Sequence, residues 1–443
     1  MAPIENSTVQ IINYTEHELR IEHRFGGTLE TINLAPFGML SWSGQFPDLD
    51  NSRIPVKLTI VWGPNQGASY QYEVRQKDAY AGGDGIFAEV RDGHASGNPD
   101  FMIYQVAHGK MNKFQIVPNY DLASWMSHVP LTKRIIDMLL PATHDSACIV
   151  DLGGTAMSWT QAKERSRIPD QLNYGIRAFD LRFELRDSVL VSVHGPENMN
   201  YAPSLIMKEI FEWLPNHSTE FVLAKIRGNA DVTSKLWEII NSNSSWKGLV
   251  YGIVPGQNYV QDVWPTTLND CKGRLLIQTE GAMRGNFGGI QCPPWPDNTA
   301  DGSTISANMK IRVQDEYNQH GGTFEGKWGK VLDMLRHQQS SEKSMWYYNF
   351  LNASGRGFPN VWSNGSPGNW GMNRHLMWEL AGELFQTSGV IWLDYFREPM
   401  DLNALPRLIA ALNSDGLNGR FWTKEITPFP QFPGFKIPRC PMT

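Results

Sequence analysis

From about residue 120 onward, short apolar runs alternate with longer amphipathic stretches, and this alternation constrains the fold more than any other feature. The runs IDMLLPATHD, AFDLRFEL, LVSVHG, EFVLAKIRG, GRLLIQTE, IRVQDEY, MWYYNFLNA and GVIWLDYF read as strands. Between them SLIMKEIFEWL, VTSKLWEIINS, EGKWGKVLDMLRHQ and NRHLMWELAGELF read as helices. Strands separated by helices pair in parallel, and seven or eight of them close most economically into a (β/α)8 barrel. Several runs end in polar or ionisable residues: His144 and Asp145, Asp180 and Arg182, His194, Arg227, Asp315 and Asp394. In such barrels the carboxyl ends of the strands share one rim, where reacting groups gather.

The first hundred residues have a different texture. VQIINYT, LRIEHRF, TLETINL, VKLTIVWG and YQYEVRQ are short, partly alternating and separated by turn residues, as in a β-sandwich. The chain of 443 residues therefore divides into an all-β sandwich over 1–112 and a distorted TIM-type barrel over 113–443. The sandwich has two readings, a lipid- or glycan-binding module and a structural cap.

Charge narrows the partners. With 39 basic and 45 acidic side chains the net charge is −6, which argues against nucleic acid. Four cysteines (Cys148, Cys271, Cys292 and Cys440) lack metal-ligand spacing and read as buried thiols, with two disulfides as the alternative. No apolar run reaches the roughly 18 residues that span a bilayer, and the first 20 residues lack signal-peptide character. The expectation is a secreted or cytoplasmic protein that meets a membrane peripherally. The sequence sets no oligomeric state.

Two histidines, an arginine and carboxylates on one rim suit phosphoryl transfer. Histidine titrates near neutrality and can serve as base or acid. Arginine can hold phosphate oxygens bidentately without a metal. Aspartates beside the imidazoles fix their tautomers. Glu184 and Glu280 read as solvated or salt-bridged acids rather than metal ligands.

The ordered set PATHDSA, WTQ…IPDQLNYGIRAFDLR and VSVHGP resembles the phosphatidylinositol-specific phospholipase C family of X-domain type, in its single-barrel bacterial form. The resemblance covers roughly residues 120–443. It implies that His144 is the general base toward the inositol 2-hydroxyl and His194 the general acid toward the diacylglycerol oxygen. It sets Arg182 against the phosphate, where calcium-dependent relatives carry a carboxylate ligand, and so implies no metal and no cofactor. Asp145 would pair with His194, Asp394 would orient His144, and Asp180 would support Arg182. Arg227, Asp315 and Tyr317 are the implied substrate contacts. The implied partner is a membrane surface containing phosphatidylinositol, met through Trp159 in a short rim helix. Trp362 and Trp370, in the glycine-rich NVWSNGSPGNWG, are expected to be exposed and interfacial. The alternative is a catalytically weak barrel that binds phosphoinositide or glycan, with the sandwich as its attachment module.

Overall fold

In the computed structural model the described residues are 7–23, 30–44, 56–62, 68–74, 92–93, 101–108, 111–149, 166–228, 230–253, 260–280, 289–292, 295–318, 322–339, 345–354, 359–366, 369–380, 388–397 and 403–414. The amino-terminal part is all β. Its strands are β1 (Ser7–Asn13), β2 (Leu19–His23), β3 (Glu30–Leu34), β4 (Met39–Gly44), β5 (Val56–Trp62), β6 (Ala68–Val74), β7 (Asp92–Gly93), β8 (Phe101–His108) and β9 (Met111–Pro118). They form one sheet in the order β4-β1-β9-β8-β7 and another in the order β3-β2-β5-β6. β1 and β9 pair in parallel, and the other pairs are antiparallel. β9 runs to Pro118, so the expected boundary at residue 112 falls inside a strand.

The barrel follows. Its strands are β10 (Leu139–Thr143), β11 (Ala178–Arg186), β12 (Val189–His194), β13 (Glu197–Asn198), β14 (Val222–Arg227), β15 (Leu275–Glu280), β16 (Ile290–Cys292), β17 (Gly302–Ser306), β18 (Met309–Gln314) and β19 (Met345–Phe350). A small hairpin, β20 (Gly365–Ser366) with β21 (Asn369–Trp370), precedes the last strand, β22 (Gly389–Leu393). The main order is β16-β15-β14-β11-β10-β22-β19-β18-β17, a nearly closed barrel whose seam lies between β16 and β17. Every residue of β10, β15 and β22 is buried, as expected of parallel strands covered on both faces. Gly389 lets β22 approach β19: a Cβ there would lie 2.4 Å from the Tyr347 carbonyl oxygen.

One expected strand departs from the parallel scheme, and one strand that was not expected joins the sheet antiparallel. LVSVHG lies off the main path of the barrel sheet; β12 turns back antiparallel on β11. The reversal falls at Asp187 and Ser188, both with positive φ, as a two-residue hairpin turn requires. β17 is likewise antiparallel to β18. The expected helices are present as Pro203–Trp213, Ala230–Asn241, Phe324–Gln339 and Met372–Leu380.

The two parts share a core: Ile12, Tyr14, Phe37 and Met102 cluster with barrel residues such as Leu376 and Met377. Three side chains of the β unit donate to the end of the helix Met372–Leu380. Gln115 Nε2 reaches the Met377 carbonyl at 3.1 Å, Lys113 Nζ the Trp378 carbonyl at 3.0 Å, and the Tyr14 hydroxyl the Leu380 carbonyl at 2.9 Å. Cys148, Cys271 and Cys292 are buried, and Cys440 lies outside the described residues. Among the described residues no helix is long and apolar enough to cross a membrane.

Candidate active site

Side-chain parity along neighbouring strands builds the site. On β11, Asp180 and Arg182 are two residues apart and share a face; Lys225 and Arg227 do the same on β14. The parallel register sets Asp180 beside Lys225 and Arg182 beside Arg227, with Arg227 opposite Glu280 on β15. Lys225 Nζ lies 2.9 Å from Asp180 Oδ1 and 2.5 Å from Glu280 Oε2. Its ammonium also sits 4.4 Å from the centre of the Trp295 ring.

The turn after β10 supplies the rest. His144 donates its backbone N–H to the Leu393 carbonyl, and Asp145 adopts a positive φ of 44°, uncommon outside glycine. Ser146 and Gln171 hold this turn. Ser146 Oγ accepts from the Asp180 N–H, and Gln171 Nε2 donates to the Ser146 carbonyl. The Asp145 carboxylate becomes the hub. Its Oδ2 lies 3.3 Å from His144 Nε2 and 3.0 Å from His194 Nε2, and its Oδ1 lies 2.7 Å from Arg182 Nε. Arg182 Nη2 reaches His144 Nε2 at 2.9 Å and Asp180 Oδ2 at 3.1 Å. On its far side His144 Nδ1 meets Asp394 Oδ1 at 3.0 Å. A guanidinium can only donate, so in its contact with Arg182 His144 Nε2 is the acceptor, while Nδ1 faces the Asp394 carboxylate.

The electrostatics follow from this packing. Burial opposes charge on His144, but Asp145 and Asp394 together raise its pKa above the ordinary imidazole value. Asp145 also raises that of His194, against burial. Burial would push the Asp145 and Asp180 carboxyls up; the Arg182 and His144 charges at Asp145, and Lys225 and Arg182 at Asp180, hold them well below the usual range. Asp315, whose Oδ2 accepts from Trp295 Nε1 at 3.0 Å, is pushed up to about 6 by burial.

Beside Arg182 a cavity of about 420 Å³ is lined by Phe183, Glu184, Val193, Gly195, Arg227 and Gly228. Arg227 is half exposed, with loose contacts of 3.5 Å to Glu280 and 3.9 Å to Asp297. Tyr317 donates to Asp297 Oδ2 at 3.2 Å, so Arg227, Asp297 and Tyr317 form one rim chain. Ligand atoms of His144, Asp145 and Asp180 come within 4.8 Å of one another, as do those of Asp145, Cys148 and His194. In both sets the carboxylates already face Arg182, Lys225 or His194, so the site carries its own cations.

The structure thus brings His144, His194, Arg182, Asp145, Asp180 and Asp394 into contact. The tryptophans fare differently. Trp159 lies outside the described residues. Trp362 and Trp370 are 6 % and 1 % exposed, which overturns the exposed, interfacial expectation for both. The segment is a helix, Pro359–Asn364, followed by the β20–β21 hairpin, and not an open glycine loop. It folds the indoles inward, Trp362 stacking on Phe324 and Trp370 packing against His375 and Trp378. Glu184 is exposed and paired with Arg186, as a salt-bridged acid. Glu280 is also salt-bridged, but it is buried within the site. Sequence reading passed over Lys225 and Gln171. Parity within AKIRG, two residues before Arg227, was the signal for Lys225.

No family model matches the chain. The 1-phosphatidylinositol phosphodiesterase of Staphylococcus aureus strain Newman is 23% identical over 252 residues, 53% of this chain and 76% of that protein. Its counterpart from strain NCTC 8325 / PS 47 shows the same identity, over 72% of its length. Among solved structures, a mutant of the S. aureus phosphatidylinositol-specific phospholipase C aligns with TM-score 0.52 at 20% identity, covering 66% of this chain and 98% of that one. The Listeria monocytogenes enzyme aligns with TM-score 0.50 at 19% identity, covering 66% and 99%. The relatives found are of the family that the motifs resemble. At these identities the structural likeness establishes the barrel fold, while the chemistry rests on the side chains above.

Proposed function

We propose that this protein is a phosphatidylinositol phosphodiesterase that needs no metal. The observation that carries the reading is the shared carboxylate: Asp145 Oδ2 borders both His144 and His194, and Asp145 Oδ1 holds Arg182. His144, neutral and oriented by Asp394, accepts the proton of the inositol 2-hydroxyl at Nε2. The freed oxygen attacks the 1-phosphodiester phosphorus, and the bond from phosphorus to the glycerol oxygen breaks. The His194 imidazolium, held through Nε2 by Asp145, protonates that oxygen, releasing diacylglycerol and inositol 1,2-cyclic phosphate. Arg182 turns from His144 Nε2 to the phosphate oxygens as substrate enters. Its charge, and that of Lys225 below it, stabilises the pentacoordinate transition state. The nucleophile belongs to the substrate, which favours ring closure entropically.

Arg227, which lines the cavity beside Arg182, and Asp315 and Tyr317 are the residues this reading assigns to the inositol ring. The amino-terminal β unit is an accessory domain and the barrel the catalytic one. Lipid substrate requires peripheral contact with a bilayer, and Trp159 is the remaining aromatic candidate for it.

Purified protein should release diacylglycerol from phosphatidylinositol vesicles in EDTA. His144→Ala or His194→Ala should lower the rate by about 10²–10⁴. Activity lost on chelation and restored by calcium would overturn metal independence. Binding of vesicles without turnover, by folded protein, would favour the binding-barrel alternative.

A further inference from the structure

We propose that Asn373 is a positioning residue for the base imidazole, its buried carboxamide clamping the left-handed turn at Asp394–Tyr395 while the amino-terminal β unit anchors the helix that carries it. The inference rests on the proposed reaction for its kinetic consequence, and on geometry alone for its structural one. Asn373 is fully buried at the second position of the helix Met372–Leu380. Its Nδ2 donates to the carbonyls of Asp394 and Tyr395, each at 3.0 Å. Tyr395 has a φ of 50°, a conformation that non-glycine residues rarely adopt and that persists where its surroundings over-determine it. That turn sets the direction in which the Asp394 carboxylate leaves the end of β22, and hence its 3.0 Å contact with His144 Nδ1.

The other end of the helix is held from outside the barrel. Gln115, Lys113 and Tyr14 donate to the carbonyls of Met377, Trp378 and Leu380. Lys113 also stands 3.9 Å over the Trp378 ring. An unbroken path therefore runs from the β1–β9 pair through one helix to Asn373, to the strained turn and to His144.

Around His144 stand Asp145 and Asp394, which raise its pKa, and Arg182, which opposes them; Asp180 and Asp315 also interact with its charge, and His194 shares the Asp145 oxygen. Displacing Asp394 removes a raising partner, so the His144 pKa falls. Asn373→Leu keeps the side-chain size and deletes the donors. Its His144 ring should titrate at lower pH by NMR, which requires no substrate. Its kcat on phosphatidylinositol should fall by about ten- to a hundredfold, the range seen when partners of a reacting group are removed, with KM nearly unchanged. Asn373→Ser retains one donor and should recover part of both, which keeps the test open if the leucine variant does not fold. A lower melting temperature with unchanged His144 titration and kcat would reduce Asn373 to a packing role and overturn the proposal. The double variant Lys113→Met, Gln115→Met tests the anchor; loss of stability alone, with the His144 titration unmoved, would overturn that clause. If the unmodified protein does not cleave phosphatidylinositol, the proposed reaction fails, and the NMR titration still decides the positioning claim.

Discussion

Arg177 and Arg182 stand five positions apart, one just before β11 and one midway along it where its pairing with β14 ends, and they illustrate how differently a buried guanidinium can be used. Arg177, just before β11, is fully buried, and its nitrogens are spoken for. Nε donates to Glu220 at 2.9 Å, Nη1 to the Leu172 and Ile176 carbonyls, and Nη2 to those of Leu122 and Ala123. Glu220 in turn accepts from the Met126 N–H and the Thr219 hydroxyl. Every donor points at a fixed acceptor and none at a cavity. Arg182, the last residue of β11 paired with β14, keeps 23% of its side chain accessible and divides one nitrogen between an imidazole and a carboxylate. Burial lowers the Arg177 pKa despite Glu220, whereas at Arg182 Asp145 and Asp180 overcome burial and raise it. A saturated guanidinium holds a fold, while one that can exchange partners beside a cavity can receive an anion.

The sharpest way to break this contrast is Arg177→Met. It strands the Glu220 carboxylate in the core and leaves four carbonyls without their donor, so chemical denaturation should show a loss of about 3–5 kcal/mol. The protein that remains folded should cleave phosphatidylinositol at nearly the unmodified rate. A large drop in its specific activity would mean that the two arginine sites are not separable. Next in size is the converse, Arg182→Ala. By analogy with removal of one fixed donor to a developing anion, kcat should fall about 10²–10³-fold. The melting temperature should also fall, because buried Asp145 and Asp180 lose a compensating charge, but by less than in Arg177→Met, since His194 and Lys225 remain beside them. Equal losses of stability in both variants would erase the distinction.

The sequence block GIRAFDLR contains both arginines and does not say which is which. The resemblance singled out Arg182; nothing in its spacing announced that Arg177 would be saturated by carbonyls from residues 122, 123, 172 and 176, two of them some fifty positions away. Local periodicity carried further for the scaffold. The helices Pro203–Trp213 and Phe324–Gln339 and the buried strands β10, β15 and β22 were legible because burial on one or both faces leaves a pattern in the chain. β12 was not. An apolar run of six cannot tell a parallel strand from a hairpin return, and the deciding feature is the backbone at Asp187 and Ser188. Lys225 was hidden for a related reason, since an inward lysine looks like a surface one until its neighbours on β11 and β15 are known. For Trp362 and Trp370 the glycine-rich composition suggested exposure. What counts is the company of Phe324, His375 and Trp378, which only the packing of two helices brings together. Asn373 carried no signal at all, because its role is to bind backbone.

The smallest expected effect separates the two arginine sites by pH rather than by substitution alone. The pKa values of His144 and His194 are raised in the fold, chiefly against burial and by Asp145. Stability drawn from a raised imidazole is complete below the unfolded value of about 6.5 and is lost as pH rises through the folded value. The depressed Asp145 and Asp180 carboxyls act at the other limit, stabilising above the ordinary carboxylate range and failing as pH falls through their folded values. The rim should therefore lose stability on the alkaline side of neutrality, and no histidine contacts Arg177 or Glu220 among the interactions described above. Melting temperature measured against pH should decline above about 6.5, and His194→Gln should flatten that decline by removing one of the two imidazoles. Arg177→Met should lower the whole curve and leave its slope unchanged. If the slope survives loss of His194, the imidazole is not drawing its charge from Asp145, and the hub on which the catalytic reading depends is assigned to the wrong carboxylate.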